Sequence, residues 1–484
     1  MIRIDVLPDD VLLEIFDFYM DIDPSLGFKR GIEVWQLLVH VCRRWRSLVF
    51  GSPRRLNLRL LCAPETPARD ALDVWQSLPL LINGDMTLRL GPDNIVAALG
   101  QSNRVCQVNL SGLADRQLET ILAAMQVPFP ELTELALSSY DVEQPVIPDS
   151  FLGGSSPRLR TFDLEGIPFP GLPKLLSSAT HLAHLNLSNI PHSGYISPEA
   201  MADLLSVLSS LQILVLEFQS PQSRPNWEGR RPPPSKCSVV PALINFYFKG
   251  VIEYLENLVT YIDAPQLDHS HLFLTFINQI DFDSPRLAQF ISRTPILADC
   301  DAHVEFYDGA VGVRLSSHLR DIEIQFSCGE PDQQLSSVAQ VCNTCLPPLS
   351  MIEGLYIEHH YLQLVWRNEA IENTQWLELL LPFTAVKDLY LSKGFAPGIA
   401  ASLQEIVRTD VLPSLQNIFV EGLEPSGPFQ ESIGQFVSAR QHSGHPIVIS
   451  VWERDFELID DIDSDVDSDS DLDVDLDADS DVDL

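Results

Sequence analysis

Cys342-Asn-Thr-Cys345 is a CxxC, and His359-His360 follow after 13 intervening residues. Thiolate and imidazole suit zinc, but a closed tetrahedral site needs a second CxxC or two histidines a few residues apart. Adjacent histidines on a strand point to opposite faces. The motif therefore reads as core or surface thiols, and no metal or cofactor is expected. Glycine-rich phosphate loops and a G-x-S-x-G elbow are absent, and Ser, His and Asp stand at no spacing diagnostic of a triad. Tyr356, Tyr361 and Trp366, near His359, could form a binding patch, although aromatics at alternating strand positions more often face a core. No catalytic residue is assigned, and the chain reads as non-enzymatic.

The remaining candidates lie in the tail. From Glu457 onward there are 13 Asp, one Glu and no Lys or Arg. Like charges stacked on one strand face repel, so the tail (457–484) is expected to be disordered. Ser464, Ser468, Ser470 and Ser480 each have Asp three residues on, the pattern of an acidophilic casein-type kinase site. Each phosphate would add about −1.5 to −2 charge. The DxDxD runs lack the turn Gly and closing Glu of an EF-hand, which leaves only weak calcium binding. Contact with a basic partner and a plain solubilising role are the other readings.

Charge narrows the classes further. The 484 residues hold 31 Lys+Arg against 67 Asp+Glu, a net −36. Removing the 14 acidic charges of the tail leaves −22 on residues 1–456. Phosphate-backbone binding needs a basic face, so no nucleic-acid partner is expected. A basic protein substrate is expected if charge selects it. No apolar run reaches membrane-span length, and MIRIDVLPDD has no basic n-region of a secretory leader. Eight sparse Cys fit reduced thiols, so a cytoplasmic or nuclear site and no membrane partner are expected.

The elements that must position any site begin with IDVLPDDVLLEIFDFYM. Pro8 opens a helix at no hydrogen-bonding cost, Asp9 and Asp10 favour its positive end, and Leu12, Ile15, Phe16 and Tyr19 make one stripe. After Asp23-Pro24-Ser25, the stretch VWQLLVHVCRRWRSLV reads as one helical segment with Val34, Leu38, Val41, Trp45 and Leu48 on a face. Such short helices form a small bundle with apolar surface left for a partner.

The middle of the chain repeats. Apolar-x-x-apolar-x-apolar recurs as Val105/Val108/Leu110, Leu132/Leu135/Leu137, Leu159/Phe162/Leu164, Leu182/Leu185/Leu187 and Leu211/Leu214/Leu216. It returns as Leu319/Ile322/Ile324, Ile352/Leu355/Ile357, Val386/Leu389/Leu391 and Leu415/Ile418/Val420. Helix-like faces lie between them, such as Leu118/Ile121/Leu122/Met125 and Ile399/Leu403/Ile406/Val407. Each β-then-α unit leaves an edge that only its neighbour covers, so a curved α/β solenoid is expected. Residues 255–310 carry strands and helices without the signature. The Pro-rich segment 220–238 reads as a loop, with Arg230-Arg231-Pro232-Pro233-Pro234 a less favoured polyproline ligand.

Two resemblances follow. Leu7-Pro8, Leu12, Ile15-Phe16 and Val41-Cys42-Arg43-Arg44-Trp45 resemble the F-box, with a longer connection over residues 21–33. The repeat spacing resembles degenerate leucine-rich repeats, since the closing Asn is mostly missing. Residues 261–294, 371–392 and 412–427 are similar to the shared body of a large F-box family of mushroom-forming (basidiomycete) fungi. The resemblance implies an F-box helical domain at 1–55, a leucine-rich-repeat-like solenoid at 56–456 and the acidic tail. It also implies docking on a Skp-type adaptor, and through it a cullin, by Leu7, Pro8, Leu12, Ile15, Phe16, Leu38, Val41, Cys42 and Trp45. The chain would then be the substrate-recognition subunit of a ubiquitin ligase, or a repeat scaffold acting outside one.

Overall fold

A computed structural model describes residues 7–453, except 21–33, 54, 57, 66–67, 89–90, 142–143, 224–236, 268–270, 278–284, 293–299, 318–319, 329–330, 345, 347–348, 361–372, 407–410 and 424–427. The acidic tail with its four candidate serines, most of the 220–238 loop, Cys345, Tyr361 and Trp366 lie outside the described residues. Ser238, expected at the end of that loop, belongs instead to a two-residue strand.

Three helices lead the chain: α1 (Asp9–Met20), α2 (Val34–Val41) and α3 (Arg43–Gly51). The single helix expected over the second stretch is broken at Cys42. That residue is extended (φ −157°, ψ 170°), and its Sγ accepts the Trp45 N–H at 3.5 Å, so it caps α3. The break turns α3 back so that Phe16 of α1 meets Trp45 with ring centroids 4.7 Å apart.

The strands follow in order. The first seven are β1 (Leu60–Cys62), β2 (Leu80–Asp85), β3 (Val105–Ser111), β4 (Glu134–Ser138), β5 (Thr161–Glu165), β6 (His184–Ile190) and β7 (Ile213–Phe218). Next come β8 (Ser238–Val239), β9 (Asn245–Gly250), β10 (Ile262–Asp263), β11 (His271–Phe276), β12 (Asp301–Tyr307), β13 (Ala310–Ser317) and β14 (Arg320–Ser327). The last four are β15 (Gly354–His359), β16 (Asp388–Leu391), β17 (Asn417–Glu421) and β18 (Val448–Trp452). All but β8 and β10 form one mixed sheet, open at its β1 and β18 edges, and β8 and β10 pair separately.

The repeated spacing has a structural reason. In β4, β5, β6, β7, β15, β16 and β17 the first apolar residue of each triplet lies two positions ahead of the strand, and the other two are in it. All three are buried. The residue after the first apolar position donates its N–H to the previous repeat, giving an unbroken run Cys106–Thr133–Arg160–Ala183–Gln212–Ile244 with N···O distances of 2.8 Å. Intervening helices bury a matching stripe, as Leu118, Ile121 and Leu122 do in Asp115–Ala124. The core therefore lies between helices and one sheet face, and the other face is open.

A corner recurs after the strands. Gly112, Gly166, Asn189 and Gly422 all have positive φ (63°, 71°, 54° and 57°) two residues past the last triplet residue; the three glycines follow their strands, and Asn189 lies inside β6 at its register shift. At Gly166 a Cβ would stand 2.2 Å from the Ser139 carbonyl oxygen, so no side chain fits there.

The array is not a simple solenoid throughout. Strand order runs β9-β11-β14-β13-β12-β15, with β13 antiparallel to both neighbours. Ile322 and Ile324 therefore sit beside β11, not beside the β15 repeat that follows them in sequence. The triplets ending at Ile324 and Ile357 are thus consecutive in sequence but not neighbours in the sheet. The cause is local: Asp308-Gly309, with Gly309 at φ 73°, makes a two-residue turn that reverses the chain into β13.

Candidate functional site

Two surfaces stand out: the N-terminal helices and the open sheet face around β12–β18. On the helices, Leu12, Phe16 and Leu38 are buried and Leu7 and Trp45 half-buried, so they build the module itself. Pro8, Ile15, Val41 and Cys42 are exposed, joined by Phe18 (73% exposed) and Leu37. Of the nine residues that the F-box resemblance implies, Leu12, Phe16 and Leu38 are closed to contact in the chain alone. Arg44, outside that set, donates to the Leu7 carbonyl at 2.6 Å and pairs with Asp9 at 2.5 Å, which pins the Leu7-Pro8 segment onto α3. The module is tied to the repeats: Trp35 donates to the Arg59 carbonyl at 2.9 Å, and Trp75 meets Phe50 at 4.5 Å and Trp35 at 5.7 Å.

On the open face, β12 places His303, Glu305 and Tyr307 beside Tyr356, Glu358 and His360. Glu305 and Glu358 are direct cross-strand partners, and both are buried. Two carboxylates so placed repel unless cations reach them. Arg314 of β13 reaches Glu305 at 3.2 Å, His360 lies 3.6 Å from its other oxygen, and Tyr307 donates to it. His303 stands 4.0 Å from Glu358.

These contacts set the titration. Burial pushes the Glu305 carboxyl up, but His360, Tyr307 and Arg314 outweigh it and hold it down at about 2. Tyr307 is raised, by burial and then by Glu305. Neighbouring carboxyls move the other way. Burial raises Asp301, Asp321 and Glu323, helped by Asp388 at Asp301 and by Glu305 at the other two.

The signs predict a two-limbed pH profile. The raised carboxyls oppose folding when ionised, and that opposition disappears as they protonate. Glu305 supports folding above its ordinary 4.5, and this support is lost as pH falls towards about 2. Its displacement corresponds to about 3 kcal/mol. Thermal melting should therefore rise as acidification protonates the raised carboxyls, and fall again as pH drops from 4.5 towards about 2. In Glu305→Gln the fall below about pH 4 should be much shallower. A wild-type-like fall in that variant would assign the acid limb elsewhere.

Ligand atoms of His303, Glu305 and Glu358 all lie within 4.8 Å of one another, a group that could hold a metal ion among the described residues. Arg314 already supplies positive charge at Glu305, and His360 lies 3.6 Å from it, so the geometry serves an internal polar network as it stands.

Beside this cluster the rings form a ladder. His303, Tyr356, Tyr390 and Phe419, on four neighbouring strands, stack with centroids 4.4, 4.1 and 4.6 Å apart and planes within 10°. Trp452 of β18 stands edge-on to Tyr390 at 5.6 Å and Tyr356 at 6.0 Å. Tyr356 is thus on the open face, not in the core as alternation suggested. The signal was in the repeats: each of the three triplets from 352 onward has an aromatic between its last two apolar residues. The acid cluster had no such signal, because β12 and β13 carry no repeat spacing. The two adjacent histidines do point apart, His359 edge-on to Phe395 and His360 stacked on Tyr307 at 4.8 Å. Cys342 is buried in the helix Pro331–Thr344.

No helix among the described residues is long and apolar enough to cross a membrane. No family model and no curated protein matches this chain. Among solved structures, the leucine-rich repeat-containing protein LegL7 from Legionella pneumophila is similar at 15% identity and a TM-score of 0.26, over 78% of this chain and 97% of that one. The likeness is distant.

Proposed function

We propose that the chain is a non-catalytic adaptor, the substrate-recognition subunit of a Skp–cullin–F-box ubiquitin ligase. In this reading the N-terminal helices are an F-box that docks a Skp-type adaptor, and through it a cullin, while the leucine-rich-repeat-like body holds a protein substrate. The observation that carries it is the apolar face of Pro8, Ile15, Phe18, Leu37 and Val41, left exposed while Leu12, Phe16 and Leu38 complete the helical core. Five exposed apolar side chains on so small a helical module suit an interface. The aromatic tie of Trp35, Phe50 and Trp75 supports the reading, because ubiquitin transfer by proximity needs substrate held at a set distance from the docking module.

The test is capture of a purified Skp-type adaptor. Ile15→Asp/Val41→Asp should weaken capture by at least about 100-fold, as loss of interface anchors does. The melting temperature should hold, since both side chains point to solvent. Leu7→Ala/Pro8→Ala should also abolish capture and leave the repeats folded. Capture that survives both pairs would overturn the reading. The second reading, a scaffold outside any ligase, predicts adaptor without cullin when the chain is pulled down from a lysate that holds both.

A further inference from the structure

The ring ladder has two ends, and they differ in one respect. Across the sheet, the open-face residue next to His303 is Arg314, and the residue next to Phe419 is Ser450. At the His303 end the chain thus supplies its own planar cation, whose guanidinium reaches a buried carboxylate 3.2 Å away. At the Phe419 end the corresponding position holds Ser450 in place of a cation, and Glu421 accepts the Lys393 backbone N–H at 3.3 Å. One residue pair further along, Glu421 lies across from Trp452, as Glu305 lies one pair along from Arg314. Ser450 is too small to cover the outer face of the Phe419 ring.

The rows that flank the ladder are predominantly acidic, with Lys393 beside Glu421. Asp301 and Asp388 lie on one side of the ladder and Glu305, Glu358 and Glu421 on the other. Side-chain rows on one strand face stand roughly 7 Å apart, close enough for a cation stacked on a ring to reach a carboxylate in the next row. Lys and Arg differ here: a guanidinium is flat, weakly hydrated and stacks on rings while its N–H groups meet carboxylates, whereas an ammonium is a hydrated point charge.

We propose that the Phe419–Ser450 end of the ladder binds an arginine side chain from a basic protein segment. The guanidinium extends the stack as one more plate over Ser450, against Phe419, with Glu421 accepting its N–H groups. This deepens the reading of the repeat body as the substrate-holding part and rests on it for the identity of the partner. The binding step itself does not involve the adaptor.

The experiment uses the full chain and two fluorescein-labelled peptides of equal charge, one alternating Gly with Arg and one alternating Gly with Lys. Fluorescence anisotropy at about 0.15 M salt limits long-range attraction by the tail. The Arg peptide should bind at least about fivefold more tightly than the Lys peptide. Ser450→Arg, which fills the slot from within, should weaken Arg-peptide binding about tenfold and erase the preference. Phe419→Leu should do the same at unchanged charge, while Tyr140→Ala, an exposed ring elsewhere, should change nothing. Equal binding of the two peptides, no binding of either, or Ser450→Arg binding like wild type would overturn the proposal. Adaptor capture run in parallel keeps the readings apart. Loss of the arginine preference with capture intact sinks this site alone, and loss of capture with the preference intact sinks the ligase reading alone.

Discussion

Phe306→Ala should destabilise the protein by about 3–5 kcal/mol, the cost of removing a fully buried ring from a packed site. Phe306 points from β12 into the helix-covered core, 4.7 Å from Phe395 and 6.2 Å from Trp376 between ring centroids. Phe395 and Trp376 are themselves buried and 5.7 Å apart, so the cavity has rigid walls that cannot collapse far. The three rings join the inserted β12–β14 unit to the last repeats. In a stacked array each unit leans only on its neighbours, so the loss should be regional. Amide exchange should quicken first across β12 and β15, well before β3–β7. Phe18→Ala, at a 73% exposed position, is the control and should leave the denaturation midpoint in place. A Phe306→Ala chain as stable as wild type would show that this triad does not hold the insert.

Arg314→Met should cost about 2–4 kcal/mol near neutral pH. Met keeps most of the aliphatic volume, so the loss is electrostatic. It leaves the Glu305 carboxylate buried beside Glu358, with only Tyr307 and His360 to support it. Removing one partner of a buried pair costs more than replacing both. The double variant Arg314→Met/Glu305→Gln should therefore recover more than half of the loss. The pH readout separates charge from packing: without Arg314 the Glu305 carboxyl moves up from about 2, and the acid limb of the melting profile moves to higher pH with it. An unchanged acid limb would assign the destabilisation to packing.

How much of this was legible depends on the element. The triplets from Val105 to Leu216 and from Ile352 to Val420 mark β3–β7 and β15–β17, because a period of two fixes which residues face the helices. β9 carries the same spacing in Leu243/Phe246/Phe248 and could have been read the same way. The hairpin β12–β13 follows from Asp308-Gly309 between alternating runs, a turn signal that a search for leucine spacing passes over. The helix break at Cys42 could not be read from apolar periodicity, since the stripe continues through it and only the docking of Trp45 on Phe16 selects the extended residue.

By itself the sequence determined the local facts: which segments are strands, which side of each is apolar, where the charge lies, and that the middle of the chain repeats. Those follow from periodicity and composition, which act over a few residues. The tertiary structure decided which strands became neighbours. The reversal at Asp308-Gly309 inserts β14 and β13 between β11 and β12, which sets Arg314 against Glu305 and Glu305 against Glu358. No spacing in the chain encodes those contacts, because pairing across a sheet is set by the path of the connections, and the energy of a buried charge depends on whatever that path brings beside it.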